Sequence, residues 1–111
     1  MESVVGRTFL PKGQNTVTRC PIVIRLVQDS QKEAFYVWNE IDQGKVGFNK
    51  QNYKVTERAV TSKILASQSA LLVGNKKGLT RKKCFVEINS PQVINLTVVD
   101  LPGLGILYIR I

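Results

Sequence analysis

Val98-Val99-Asp100-Leu101-Pro102-Gly103 is the stretch on which the reading of the fold turns. An apolar run from Val93 to Val99, interrupted by polar Asn95 and Thr97, stops at an acid and, two residues later, at Pro-Gly. Physically this is a buried strand ending at a carboxylate, followed by a tight turn with open backbone amides. Such an end suits a ligand that carries a metal and phosphates. The acid holds a magnesium water, and a glycine amide approaches a phosphate oxygen with no side chain in the way. Asp-x-x-Gly is also common by chance, and an acid closing a strand beside Pro-Gly is an ordinary structural device. The remainder of the chain has to decide.

The chain is 111 residues long, 43% hydrophobic, and carries a formal net charge of +8. These values describe one small globular domain with an ordinary core-forming composition. The positive balance favours acidic surfaces in general: nucleic acid, anionic lipid or nucleotide. There is no histidine, which removes Ser-His and Cys-His nucleophilic catalysis and histidine metal sites. Cys20 and Cys84 lie far apart with no Cys-x-x-Cys motif, as expected of reduced thiols in a cytosolic protein. The longest apolar stretches fall short of the roughly 20 residues that span a bilayer, so any membrane contact is expected to be peripheral.

Along the chain, Glu2-Ser3-Val4-Val5-Gly6 has the shape of a last helical turn closed by a glycine. Polar residues 13–19 form a loop. The β-branched run 22–27 predicts a strand, and 34–38 a second, aromatic-rich one, joined by a polar link as a hairpin. Residues 42–52 read as a loop. The segment 55–73 lacks Gly and Pro and is bounded by Gly74, which predicts a helix. Its amphipathicity is diffuse: Val55, Ala59, Ala66, Ala70 and Val73 share one face, while Val60, Ile64 and Leu71 lie nearly opposite. Strands at 84–89 and 94–99, joined through Ser90-Pro91-Gln92, are expected to pair antiparallel, the second buried on both faces.

Thr18, in a polar loop ahead of a strand, is a candidate Mg²⁺ ligand of the kind nucleotide switch loops use; an ordinary loop hydroxyl is the commoner role of such a residue. The run Lys76, Lys77, Arg81, Lys82, Lys83 suits phosphates or anionic headgroups, but no aromatic platform interleaves it and most such runs are solvated loops. Asn75-Lys76-Lys77-Gly78 lacks the acid of a guanine-reading Asn-Lys-x-Asp motif and precedes Asp-x-x-Gly instead of following it. Asn95-Leu96-Thr97 fits a glycosylation sequon inside an expected buried strand, with no secretory signal. No Gly-x-x-x-x-Gly-Lys-Ser/Thr loop occurs in these residues.

Taken together, Glu2-Ser3-Val4-Val5-Gly6-Arg7, Phe9-Leu10-Pro11-Lys12-Gly13, Val17-Thr18-Arg19-Cys20-Pro21 and Asn95-Leu96-Thr97-Val98-Val99-Asp100-Leu101-Pro102-Gly103 resemble the dynamin superfamily of large GTPases in wording, order and spacing. The resemblance covers about 1–28 and 84–104; the middle matches in outline, and 105–111 forms an atypical tail. It implies an α/β fold, a partial P-loop GTPase domain over 1–111 with a mixed sheet, in which the family's first strand and phosphate loop precede the residue aligned with Met1. It implies GTP and Mg²⁺ as ligands. Residues 13–18 would be the first switch loop, with the Thr18 hydroxyl on Mg²⁺ and its backbone fixing the attacking water. Asp100 would hold Mg²⁺ through water, and the Gly103 amide would meet the γ-phosphate.

The family hydrolyses GTP, forms homo-oligomers, and remodels or severs membranes; some members associate with microtubules. The resemblance therefore implies a cytoplasmic, peripherally membrane-associated protein with no nucleic-acid partner. With the phosphate loop and guanine-specificity motifs outside these residues, the expectation for this chain alone is catalytic incompetence, since phosphoryl transfer depends on positioning and charge stabilisation. The alternatives are a basic module that binds anionic lipid or nucleic acid, and a fragment that docks on a full-length relative. In this architecture the strand ending at Asp100 lies beside the family's first strand. The apolar tail, Leu104 to Ile111, is then expected to pair with that edge as a substitute strand.

Overall fold

A computed structural model describes residues 20–73 and 81–101 in full and the backbone of 105–109. Alternation builds the first strand, β1 (Ile22–Gln28): Ile22, Ile24 and Leu26 are buried, while Val23, Arg25 and Val27 face the other way. Then come β2 (Ala34–Asn39), a short helix α1 (Glu40–Gln43), a 3₁₀ turn over Lys50–Tyr53, and β3 (Lys54–Val55). A second 3₁₀ turn (Glu57–Ala59) leads into α2 (Val60–Leu71), followed by β4 (Cys84–Ser90), β5 (Leu96–Leu101) and β6 (Gly105–Ile109). The strands form one mixed sheet in the order β3-β2-β4-β1-β5-β6.

Neither expected hairpin forms. β4 lies between β1 and β2, parallel to β1 and antiparallel to β2, and β1 lies between β4 and β5. Each short link crosses the end of the strand inserted beneath it. Residues 29–33 pass over the end of β4, where Asp29 N donates to Ser90 O at 3.1 Å and Ser90 Oγ donates to Glu33 Oε2 at 3.1 Å. Residues 91–95 pass over the end of β1, where Gln28 N donates to Asn95 Oδ1 at 2.8 Å. Link length alone permits either arrangement; burial decides it. β4 carries five buried residues of seven and takes a central place with neighbours on both sides.

The helix is also shorter than the sequence suggests. Val55 and Lys54 pair with Phe35 and Tyr36 as an edge strand, and Thr56 stays extended, so α2 begins only at Val60. Its buried stripe is Val60, Ile64, Gln68 and Leu71, spaced by four, four and three residues, the face opposite Ala66 and Ala70. Within 42–52, expected as loop, lie the end of α1 and the start of a 3₁₀ turn. Asn39 caps α1 with a reciprocal box: its Oδ1 accepts from Asp42 N at 2.9 Å, and Asp42 Oδ2 accepts from Asn39 N at 3.1 Å. Gly47, at φ 76°, turns the chain where a side chain would be strained.

α2 covers β2 and β4, and its Val60 and Ile64, both 0% exposed, join the core of Ile22, Ile24, Phe35, Val37, Val86, Ile88 and Val98. β5 is less enclosed than expected, with Val98 buried and its other residues half-buried, because the helix lies over β2 and β4. The opposite face carries a second cluster: Ala34, Tyr36 and Trp38 packed against Phe48, Tyr53 and Phe85. The expectation for the tail agrees with the structure. β6 pairs antiparallel with β5, from Thr97↔Ile109 to Leu101↔Gly105.

Candidate functional site

One register row runs across an end of the sheet: Asn39, Cys84, Ile22, Asp100 and Ile106, on β2, β4, β1, β5 and β6 in turn. Asp100 is on β5, one residue before its end, with β1 on one side and β6 on the other. It is half-buried, and burial pushes its carboxyl above the usual carboxylate range. The fold therefore disfavours the charged form, and a cation at this position would relieve that cost. Cys20, which leads into β1, lies at this same end of the sheet. Thr18, two residues earlier, and Gly103 lie outside the described residues. Among the described residues no cluster of three or more His, Cys, Asp or Glu side chains is placed to hold a metal ion. Asp100 therefore offers a single carboxylate.

A polar cluster beneath α2 was not legible from sequence. Cys20 and Cys84 are both buried and free. The Cys20 Sγ donates to Gln68 O at 3.8 Å, and Asn39 Nδ2 donates to Ser67 O at 3.4 Å. Burial pushes the Cys20 thiol up to about 11. Burial likewise carries Cys84 up to about 12, over the opposing hydrogen bond with Ser67 and with a smaller push from neighbouring Cys20. Both thiols are thus held protonated, the opposite of what an activated nucleophile requires. Gln68 Oε1 is buried without a partner.

On the face opposite α2, a cavity of about 240 Å³ is lined by Val23, Arg25, Trp38, Phe85, Glu87 and Thr97, among others. The Trp38 and Phe85 rings stack at 5.6 Å and 18°, and Trp38 Nε1 donates to Gln43 Oε1 at 2.9 Å. Glu87 is 3% exposed yet charged-paired: Lys50 Nζ and Asn89 Nδ2 both donate to its Oε2. The Lys50 ammonium also sits 5.2 Å from the Tyr36 ring centroid. Glu87 and Lys50 are 37 positions apart, so no local pattern announces the pair. It neutralises the acid and fixes the 44–53 segment on the sheet.

Of the basic run, Lys76 and Lys77 lie outside the described residues. Arg81, Lys82 and Lys83 are exposed. Lys83 is engaged locally: its N donates to Glu40 Oε1 at 2.9 Å, and its Nζ lies 3.9 Å from the same oxygen. No described helix is long and apolar enough to cross a membrane.

Comparison with known proteins fits this geometry to a family. Residues 1–106 match the model of the dynamin family. Dynamin-1-like protein from Danio rerio is 34% identical over 110 residues, covering 94% of this chain and 16% of that protein. The mouse protein of the same name is 31% identical over 109 residues, with 94% and 15% covered. Interferon-induced GTP-binding protein Mx2 from Homo sapiens is 30% identical over 104 residues, with 94% and 13% covered. The chain thus spans about one sixth or less of the length of these relatives.

Proposed function

The chain belongs to the dynamin family, and from that premise we propose that it carries the two switch elements of a dynamin-type GTPase domain. The Thr18 hydroxyl binds Mg²⁺ while its backbone orients the attacking water, Asp100 holds Mg²⁺ through a water, and the Gly103 amide meets the γ-phosphate. When bound, Mg²⁺ neutralises charge on the β- and γ-phosphate oxygens. The protein of which these elements are part binds and hydrolyses GTP. It couples that cycle to homo-oligomer formation and membrane remodelling, fission or trafficking at the cytoplasmic surface of a membrane. Association with microtubules is a further family trait to examine.

One observation carries this reading. Asp100 stands at the same end of the sheet as the start of β1, on the adjacent antiparallel strand, half-buried and with its carboxyl pushed up by that burial. That fits a magnesium-water ligand better than a solvated surface acid. The chain alone does not hydrolyse GTP, because no Walker-type lysine or hydroxyl occurs among its residues to cradle the β- and γ-phosphates.

The experiment has two arms. The purified chain is assayed for GTP hydrolysis beside Thr18→Ala, with no difference expected; turnover above that control overturns the incompetence. Residues 1–103 of this chain are then grafted into the Danio rerio dynamin-1-like protein in place of its matching segment. The chimaera should hydrolyse GTP, and Thr18→Ala or Asp100→Asn should each lower kcat by roughly a hundredfold or more, the scale of losing one preorganised electrostatic group. An active chimaera indifferent to both substitutions would refute the assigned roles.

A further inference from the structure

The buried stripe of α2 breaks its own pattern once. Val60, Ile64 and Leu71 are apolar, while the remaining member, Gln68, is polar and yet only 4% exposed. Its Oε1 is buried with no hydrogen-bond partner among the described residues. An acceptor left open in this way is costly, and an apolar side chain of the same shape would remove the cost. The pattern breaks at a particular place. Gln68 O accepts from Cys20 Sγ at 3.8 Å. The preceding residue, Ser67, bonds the Cys84 side chain, and Asn39 Nδ2 donates to its carbonyl at 3.4 Å. Asn39 and Cys84 belong to the register row that continues through Ile22 to Asp100. Residues 67 and 68 of α2 therefore lie over the end of the sheet that carries Asp100, against the residue two positions after Thr18.

We propose that Gln68 is a positioning residue for the first switch: its Oε1 is the acceptor kept open for a donor from the chain just ahead of Cys20, engaged when Thr18 coordinates Mg²⁺. This rests on the switch roles given above to Thr18 and Asp100. Two residues span at most about 7 Å of chain. With Cys20 bonded to the Gln68 carbonyl, chain length alone allows Thr18 and Arg19 to reach the same side chain. Both supply donors: a backbone N–H each, the Thr18 hydroxyl and the Arg19 guanidinium. Gln68 itself touches neither nucleotide nor metal. It acts through the switch, by favouring the arrangement in which Thr18 meets Mg²⁺ over those in which it does not. A penalty carried by the unliganded fold and relieved in the liganded one explains why a packed helix face keeps an unsatisfied group at this end of the sheet.

Gln68→Met keeps the shape and deletes the acceptor, and two measurements on it test the proposal. In the purified chain, the urea midpoint read by Trp38 fluorescence should rise by about 0.5 M, because the open acceptor is gone. In the chimaera that carries residues 1–103 of this chain, the same substitution should lower kcat by on the order of tenfold, the scale of one lost hydrogen bond. KM for GTP should stay nearly unchanged. Packing alone does not make a variant both stabler and slower. Gln68→Glu keeps an acceptor at the same distance and should retain kcat where Gln68→Met does not; equal losses in the two overturn the proposal. A midpoint that falls in Gln68→Met shows an acceptor already satisfied, by an internal water, and overturns it too. So does an unchanged kcat in a chimaera that Thr18→Ala or Asp100→Asn inactivates, a result that leaves the switch roles standing. A chimaera indifferent to Thr18→Ala and Asp100→Asn removes those roles, and this proposal with them.

Discussion

Replacing Lys50 by methionine should destabilise the chain by about 2 kcal/mol, although Lys50 lies at the surface. Breaking a buried ion pair typically costs about 3–5 kcal/mol, because one charge is left behind without its partner. Here the charge left behind is Glu87, whose side chain is 5% exposed, while that of Lys50 is 36% exposed. Two features reduce the cost. Asn89 Nδ2 still donates to Glu87 Oε2 at 2.9 Å, and Glu87 lines a cavity that admits water. One feature adds to it: losing the ammonium over Tyr36 forfeits on the order of 0.5–1 kcal/mol.

Urea unfolding followed by fluorescence of Trp38, which is the only tryptophan and 9% exposed, gives the measurement. At a slope of about 1–3 kcal/mol per molar urea, the midpoint should fall by roughly 1 M. Glu87→Gln keeps the shape and loses charge assistance, for about 1 kcal/mol. The double variant Lys50→Met with Glu87→Gln should lose less than the sum, since no charge is then stranded. A single-variant loss under about 0.5 kcal/mol, or strict additivity, would show that the pair behaves as a solvated surface contact.

Three further outcomes are expected. Ile64→Ala, at a position with no exposure, should cost about 3 kcal/mol by urea unfolding, within the usual range for truncating a buried isoleucine. Asn39→Ala removes the α1 cap and the bond to Ser67 O, and should cost about 1–2 kcal/mol in the same assay. The thiols give a pH signature. Their folded values, about 11 for Cys20 and about 12 for Cys84, lie above the unfolded value of roughly 8.5. Their contribution is fully present below that value. It is lost as pH rises toward 11 and 12, because the unfolded chain ionises first. Urea midpoints should therefore fall from about pH 9 upward, and Cys84→Ala should flatten the decline. Native chain at pH 8 should also resist thiol labelling until it is unfolded.

How much of this was legible in the sequence follows from the range over which each signal acts. A β-branched run placed strand 22–27, an aromatic-rich run 34–38 and alternation 84–89, each within a residue or so of where they are, because these signals are local. The start of α2 was misplaced by several residues. Val55 is β-branched and finds a partner in Phe35, a tertiary preference that outweighs the absence of helix breakers in 55–73. The buried helix face was ambiguous because small and large apolar residues lay on opposite sides. The large ones, Val60, Ile64 and Leu71, won the core since they bury more area. Asp100 stood out through its Asp-x-x-Gly setting, but its burial depends on neighbouring strands that no local window contains. The Lys50–Glu87 pair had no signal at all, for the same reason.

The strand pairing that the sequence did not disclose is the one that matters for the site. Two separate hairpins, 22–27 with 34–38 and 84–89 with 94–99, would give β5 no reason to lie beside β1. The observed order interleaves them: β4 enters between β1 and β2, and β1 between β4 and β5. β1 and β5 thereby become antiparallel neighbours, about 4.8 Å apart. In an antiparallel pair the start of one strand lies beside the end of the other, so Ile22 meets Asp100 in register. Cys20-Pro21, just ahead of β1, and Asp100, near the end of β5, are brought to one end of the sheet by that single exchange of neighbours. That neighbourhood of β1 and β5 follows from the burial of β4. A substitution that weakens the centre of β4, such as Val86→Ala, should therefore disturb the Asp100 end of the sheet as well as the core, although Val86 is two residues along β4 from that row.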